Sequence, residues 1–192
     1  MKKPLLINQL VLALLLCAQA SAQSPAGATV HFAKDGLSFD YPAGWTLTDK
    51  SSATAQEIVL AFPGSSAVIQ VVAFRELMQS AEQARATRES VTIPYAMKLA
   101  TQFGSPLSQL SESADCLPVG KRLASGFKLT GQLDKQPITG YVYTIVLGQR
   151  FLNFTYIRAD KDDARGAEGW KMLLDTLKVE PPASQTQDEA KL

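Results

Sequence analysis

The segment Gly36-Leu37-Ser38-Phe39-Asp40-Tyr41-Pro42-Ala43-Gly44-Trp45 carries the most structural information in the chain. Leu37, Phe39 and Tyr41 alternate with Ser38 and Asp40, the period-two pattern of a strand with one buried face. Tyr41-Pro42-Ala43-Gly44 places Pro second and Gly fourth, which suits a type I turn. Trp45 and Leu47 then alternate with Thr46 and Thr48 on a returning strand, so the segment predicts a β-hairpin.

Moving outward, a second strand pair is expected at Glu57–Phe62 and Ala67–Phe74. Phe62-Pro63-Gly64-Ser65 joins the two with Pro and Gly at the central positions of a type II turn. From Ser80 to Phe103 the pattern turns helical. Ser80 and Gln83 form a capping-box signature, and Ala84, Val91, Tyr95, Leu99 and Phe103 share one face that should pack on the sheet. Pro94 lies inside this stretch and removes a backbone donor, so a kink or two shorter helices are expected. Lys121–Gln132 and Ile138–Leu147 follow as a meander separated by Leu133 to Pro137, and Gly148-Gln149 turns into Phe151–Arg158. Within it, Tyr141 to Leu147 is apolar on both faces apart from Thr144, as in a strand covered on both sides. Trp170, Leu173, Leu174 and Leu177 then define one apolar stripe on a helix from Asp162 to Lys178. Hairpins, helix, meander and helix in that order predict an α+β protein, an antiparallel β-sheet with helices packed on its faces as an α/β/α sandwich.

The chain has 192 residues, 46% apolar, 19% charged and 8% aromatic, with a formal charge of +1. At that length one or two domains are expected, and a domain of roughly 150 residues buries about 70% of its unfolded surface without disulfides. The composition excludes disordered, collagen-like and disulfide-scaffold classes. A near-neutral balance argues against a nucleic-acid binder, and Lys121, Arg122 and Lys128 are too few and too spread to form such a patch.

Lys2 and Lys3, an apolar run from Leu10 to Ala18, and the small residues Ala20-Ser21-Ala22 read as a secretory signal peptide over residues 1–22, cut after Ala22. The run is short of the ~20 residues that span a bilayer. Cys17 raises lipidation as a rival reading, but Leu16 precedes it where a small residue is expected. Removal of the leader takes two lysines and no acid, leaving 170 residues with 17 basic against 18 acidic groups and a formal charge of −1. Cys116 is then the lone cysteine, which excludes an intrachain disulfide; a lone thiol in an exported protein reads either as a reactive or intermolecular group or, the favoured reading, as a small buried hydrophobe. Residues 23–28 read as a flexible tether, 29–180 as a single domain and 181–192 as a disordered tail.

The pattern Phe39-x-Tyr41-Pro42-x-x-Trp45, with Trp170, Leu173, Leu174 and Leu177 on a closing helix, resembles the PsbP-like superfamily. That group includes the photosystem II extrinsic protein PsbP, the bacterial protein DcrB and a Ran-binding import factor. The resemblance covers Thr29 to Glu180 and implies an opening hairpin, a strand series and a closing helix. It also implies a non-catalytic role in which members assist or dock onto larger assemblies, with no catalytic residues to carry over.

The residues themselves supply little chemistry. His31 is the only histidine, on the edge of the first predicted strand, and a Ser-His-Asp or Cys-His site would have to use it. No G-x-S-x-G elbow, dinucleotide fingerprint or Gly-rich phosphate loop occurs. One His and one distant Cys do not make a zinc site. Asp160-Lys161-Asp162-Asp163 suggests calcium, yet a loop starting there has Arg165 where Gly is needed and Lys171 where Glu should close it. Acids at the start of a helix are in any case favoured by its dipole. Asn153-Phe154-Thr155 matches a glycosylation acceptor inside a predicted strand, beside a leader of bacterial type, and reads as chance. The expectation is therefore an exported, periplasmic or secreted accessory protein with no catalytic, metal or cofactor residues, which docks to a protein partner or binds a small apolar ligand. The alternatives are a secreted hydrolase with scattered residues, or an immunity or inhibitor protein with one tight partner.

Overall fold

The computed structural model describes residues 28–105 and 114–180. The leader, most of the tether, Cys17 and the tail fall outside the described residues. Ala28 accepts a hydrogen bond from Ala43 N at 2.8 Å. A three-stranded sheet takes β1 (Thr29–Lys34), β2 (Leu37–Pro42) and β10 (Lys178–Val179) in that order. A seven-stranded sheet takes β3 (Thr46–Asp49), β4 (Ala55–Ala61), β5 (Val68–Leu77), β9 (Arg150–Ala159), β8 (Gln136–Leu147), β7 (Arg122–Leu133) and β6 (Ala114–Val119). All described pairings are antiparallel. Among the described residues three α-helices, α1 (Ala81–Thr87), α2 (Ile93–Gln102) and α3 (Asp163–Thr176), complete an α+β fold.

The opening hairpin is not formed as predicted. β2 pairs with β1 and β10, whereas β3 pairs with β4, so Pro42–Trp45 carries the chain from one sheet to the other. The turn also sits one residue later than expected: Trp45 N bonds Pro42 O at 3.4 Å, and Gly44 holds the third position at φ +89°. A positive φ there is the type II requirement that glycine meets without strain. The true hairpin is β1–β2, closed by Asp35-Gly36 with both residues at positive φ. Asp-Gly between strands is the strongest short hairpin signal, and the alternation downstream of it obscured that role. The second pair, β4–β5, forms as expected around Gly64 at φ +76°. In the meander the loop between β7 and β8 shrinks to Asp134-Lys135, and Gly148-Gln149 makes the two-residue turn into β9.

The large sheet is covered on both faces. On one face Ile58, Leu60, Ile69, Val71, Leu152 and Phe154 pack with Leu37 and Phe39 of the small sheet and Leu173 and Leu174 of α3. Burying each such side chain contributes about 1.5–3 kcal/mol relative to leaving it exposed. Trp170 stacks on Tyr156 at 5.3 Å between ring centroids and meets Phe154 edge-on at 6.4 Å, so the predicted Trp/Leu stripe faces the sheet. On the other face Ala96, Leu99 and Ala100 of α2 and Phe103 just after it pack on Phe127, Leu129, Ile138 and Val142. The layering is α/β/α, with the small second sheet sharing the α3 layer, a component the single-sheet expectation lacked.

Residues 81–102 run across the second face as one strap. Ser80 caps α1 by accepting from Gln83 N at 3.1 Å, while the Gln83 side chain accepts from Gln79 N at 2.8 Å. The break expected from Pro94 is a π-helical turn at Arg88–Thr92, in which Ile93 N–H reaches five residues back to Arg88 O. Proline has no N–H and its ring crowds the carbonyl four residues earlier, so the widened turn before Pro94 relieves that conflict.

Candidate functional site

The most elaborated part of the molecule lies between this strap and the sheet. Register fixes its floor: Val72, Asn153, Thr144 and Ser125 stand opposite one another across β5, β9, β8 and β7. Gln70 and Thr155 form the adjacent pair. Asn153, Thr144 and Thr155 are buried, an unusual polar strip at the centre of a seven-stranded sheet. Such groups cost stability unless each finds a hydrogen-bond partner.

Part of that need is met within the fold. Tyr95 of α2 donates its hydroxyl to Gln70 Oε1 at 3.0 Å, and Gln70 Nε2 donates to Glu57 Oε1 at 2.9 Å, tying the strap to the sheet. Burial raises the Tyr95 phenol pKa above its ordinary value, a hydrogen bond with Thr155 opposes the shift and the Glu57 carboxylate adds to it. Thr144 Oγ1 donates to Ser125 O at 3.3 Å. Among the described residues, by contrast, Asn153 Oδ1 is buried and finds no donor, and Thr92 Oγ1 and Arg88 Nε of the π-helical turn are buried and find no partner. The unmet polar atoms of the floor and of the strap thus face one interface. A cavity of about 150 Å³ lies there, lined by Gln70, Val72, Phe74, Val91, Tyr95 and Asn153 among others.

A second, wider cleft of about 380 Å³ opens beside the first at the α1 end of the strap. Its walls include Arg85 and Arg88 from the strap and Arg122, Leu123, Thr144 and Phe151 from the sheet. Phe151 of the cleft and Phe74 of the cavity meet edge to face at 5.8 Å, so the two spaces share this aromatic pair as a wall.

The residues singled out from sequence do not converge. His31 lies exposed on β1 with Nδ1 at 2.6 Å from Asp40 Oδ1, and no Ser or Cys is among its described partners. Cys116 is exposed on the edge strand β6 rather than buried, opposite Ser125, which corrects the expectation of a small buried hydrophobe. Asp160 sits in a 3₁₀ turn over Asp160–Asp162, accepting from Thr139 Oγ1 at 3.2 Å with Arg158 Nη1 at 3.7 Å. Asp162 and Asp163 share that turn and the start of α3, and their side chains lie outside what the structure describes. Among the described residues no three His, Cys, Asp or Glu side chains group as a metal site. Lys128 lies over the Tyr141 ring at 5.9 Å, and Arg122 turns to the cleft instead. Asn153, noted only as a formal glycosylation acceptor, is a buried floor residue. Sequence reasoning missed Arg85, Arg88, Gln70, Tyr95 and Thr155 as a site; the lone Thr144 in an apolar run and an Asn in a covered strand were the signals available.

No protein-family model matches the chain, and no curated protein matches it. Among solved structures it is similar to a protein of Bacteroides thetaiotaomicron VPI-5482, with a TM-score of 0.50 and 14% identity over 78% of this chain and 48% of that one. It is more distantly similar to TplEi, a T6SS immunity protein of Pseudomonas aeruginosa solved with an "L" peptide, at 0.42 and 14% over 78% of this chain and 51% of that one. LpqN of Mycobacterium tuberculosis, involved in cell envelope biogenesis, stands at 0.42 and 10% over 80% of this chain and 91% of that one. The chain spans about half the length of the first two of these proteins. The likeness to the Bacteroides protein is one of fold.

Proposed function

We propose that this chain is an exported, non-catalytic accessory protein of the PsbP-like type, and that its binding face is the space between the helical strap and the seven-stranded sheet. The observation that carries the reading is the buried, unpartnered Asn153 Oδ1 on the floor of that space, next to a cavity with apolar walls. A polar atom left unsatisfied in a covered sheet is a standing cost of about 1–3 kcal/mol, which a ligand or docking segment that donates to it removes. The groups that acyl or metal chemistry would need, His31, Cys116 and Asp160, lie on three different elements. Among the described residues no helix is long and apolar enough to cross a membrane. Export rests on the leader pattern at residues 1–22.

The test is recovery of the tagged chain, expressed with its leader, from a bacterial envelope together with whatever it holds. Val91→Trp, which fills the cavity, should lose the bound partner or ligand, while His31→Ala and Asp160→Ala should retain it. Turnover in a hydrolase panel that disappears in His31→Ala would overturn the reading in favour of an enzyme.

A further inference from the structure

We propose that the wide cleft at the α1 end of the strap is an oxyanion site, in which Arg85, Arg88 and Arg122 receive one carboxylate or similar group carried on a small apolar body. The proposal rests on the reading of the strap face as a binding face and names the chemistry it accepts. Three guanidinium groups line this cleft and no carboxylate does. Like charges gathered on one concave surface repel, and an arriving anion relieves that repulsion.

Among the described residues the three arginines leave most of their hydrogen-bonding capacity unused, although Arg85 keeps Glu82 and Glu89 within ion-pair range. Arg88 lies with Cζ 5.2 Å from the Phe127 ring centre, and its Nε is buried with no acceptor among the described residues. Arg122 Nη1 donates to Val146 O at 2.7 Å, which anchors the guanidinium at the sheet wall and leaves the rest of its fork for another acceptor. Arg85 has Glu82 and Glu89 only at 4.0 Å, beyond hydrogen-bonding distance. A planar fork matches the two oxygens of a carboxylate, so arginine suits this ligand better than lysine would.

The apolar part of the ligand follows from the remaining walls. Leu123 stands at the mouth with 67% of its surface exposed, and Phe151 continues inward. Phe151 leads on to Phe74 and the inner cavity. A space of about 380 Å³ falls within the range that small-molecule sites occupy. The geometry is that of a charged rim over an apolar interior, which selects an anion with a hydrocarbon body over either part alone.

Isothermal titration of the full chain with octanoate, 1-octanol and inorganic phosphate tests this. Octanoate should bind saturably at one site, more weakly as ionic strength rises, and more tightly than octanol or phosphate. Arg88→Met should weaken octanoate roughly tenfold or more, the loss of a charge-assisted hydrogen bond. Arg122→Met, on the opposite wall, should do the same and serves if Arg88→Met fails to fold; Lys128→Met should leave binding unchanged. Octanol binding as tightly as octanoate would leave the cleft a ligand site and refute the oxyanion role. Phosphate binding as tightly as octanoate would refute the apolar body. Absence of octanoate binding would refute the proposal outright, while the accessory reading would still be decided by the envelope capture.

Discussion

Arg150 is the sharpest point at which to perturb this fold. It opens β9 and is wholly buried, yet its acceptors among the described residues are all neutral: Phe74 O at 2.9 Å, Ala73 O at 3.0 Å, Asp35 O at 3.2 Å and Gln56 Oε1 at 2.6 Å. The two β5 carbonyls lie where the β5–β9 register shifts between Ala73 and Leu77, so the guanidinium fills a break in the ladder. Gln56 Nε2 in turn donates to Lys34 O at 2.8 Å, and the pair thereby stitches the β1–β2 turn to the large sheet. Burial, with Arg75 adding repulsion, lowers the Arg150 pKa from the ordinary arginine value. Arg150→Met keeps the apolar stem and removes every donor. Hydrogen bonds from a charged group contribute about 1.5–3 kcal/mol each, but the guanidinium regains several kcal/mol of hydration when it is not buried. What does not cancel is the stranding of Ala73 O, Phe74 O and Gln56 Oε1, at about 1–3 kcal/mol apiece. The expected net loss is about 3–5 kcal/mol, a large share of a typical 5–15 kcal/mol stability. Urea denaturation should show a lower midpoint at unchanged slope. Adding Gln56→Leu to Arg150→Met should recover about 1–2 kcal/mol, since one stranded acceptor goes with it. A loss below about 1 kcal/mol, or a gain of the kind buried ion groups sometimes give when replaced by hydrophobes, would refute the view of Arg150 as the staple between the sheets.

Three further outcomes are expected. Asn153→Val should leave the melting temperature of the free protein within a few degrees of the parent, or raise it, because Oδ1 makes no bond to lose; a loss above about 2 kcal/mol would mean that Asn153 supports the fold instead. Gly169→Ala would place a Cβ 2.6 Å from Trp45 Cζ2, so α3 or the indole must shift, at about 1–3 kcal/mol by chemical denaturation and with altered tryptophan fluorescence. Lys34 Nζ and the Ser51 backbone amide hold the Asp49 carboxyl well below the usual carboxylate range, so its contribution is present above about pH 4 and is lost as pH falls. The advantage of the parent over Asp49→Asn, at most about 1 kcal/mol at this exposed pair, should therefore shrink in urea titrations run from pH 5 down to pH 2, and an advantage constant across that range would contradict the assignment.

The class and most elements could be read from periodicity because their faces are buried in simple ways. Tyr141 to Leu147 reads as a strand covered on both sides, and it lies between α2 and the α3 layer. Trp170, Leu173 and Leu174 repeat at helical spacing because one stripe of α3 meets the sheet. Pairing was another matter. Alternation on either side of Pro42–Gly44 shows two half-buried strands, but not that they belong to different sheets, since which strands pair is settled by long-range packing. β6 was missed because its residues 114–119, with Pro118 among them, show little alternation, and β10 because two residues give no period. The site was less visible still. Gln70, Tyr95 and Asn153 are far apart in sequence and come together only through sheet register and the course of the strap. Arg85 and Arg88 on a helix look like ordinary solvated charge until Arg122 is placed across from them.

Binding at the strap face should leave that face covered while the molecule does its work. Hydrogen–deuterium exchange on the tagged chain recovered from its envelope, compared with the same chain after its bound material is washed away, reads this for each segment. Slower exchange is expected in the bound form across residues 84–95 of the strap and across 142–146 and 151–155 of the floor, with β1 and the 160–163 turn unchanged. Protection confined to the small sheet around His31, or to the 160–163 turn, with the strap unaffected, would contradict it.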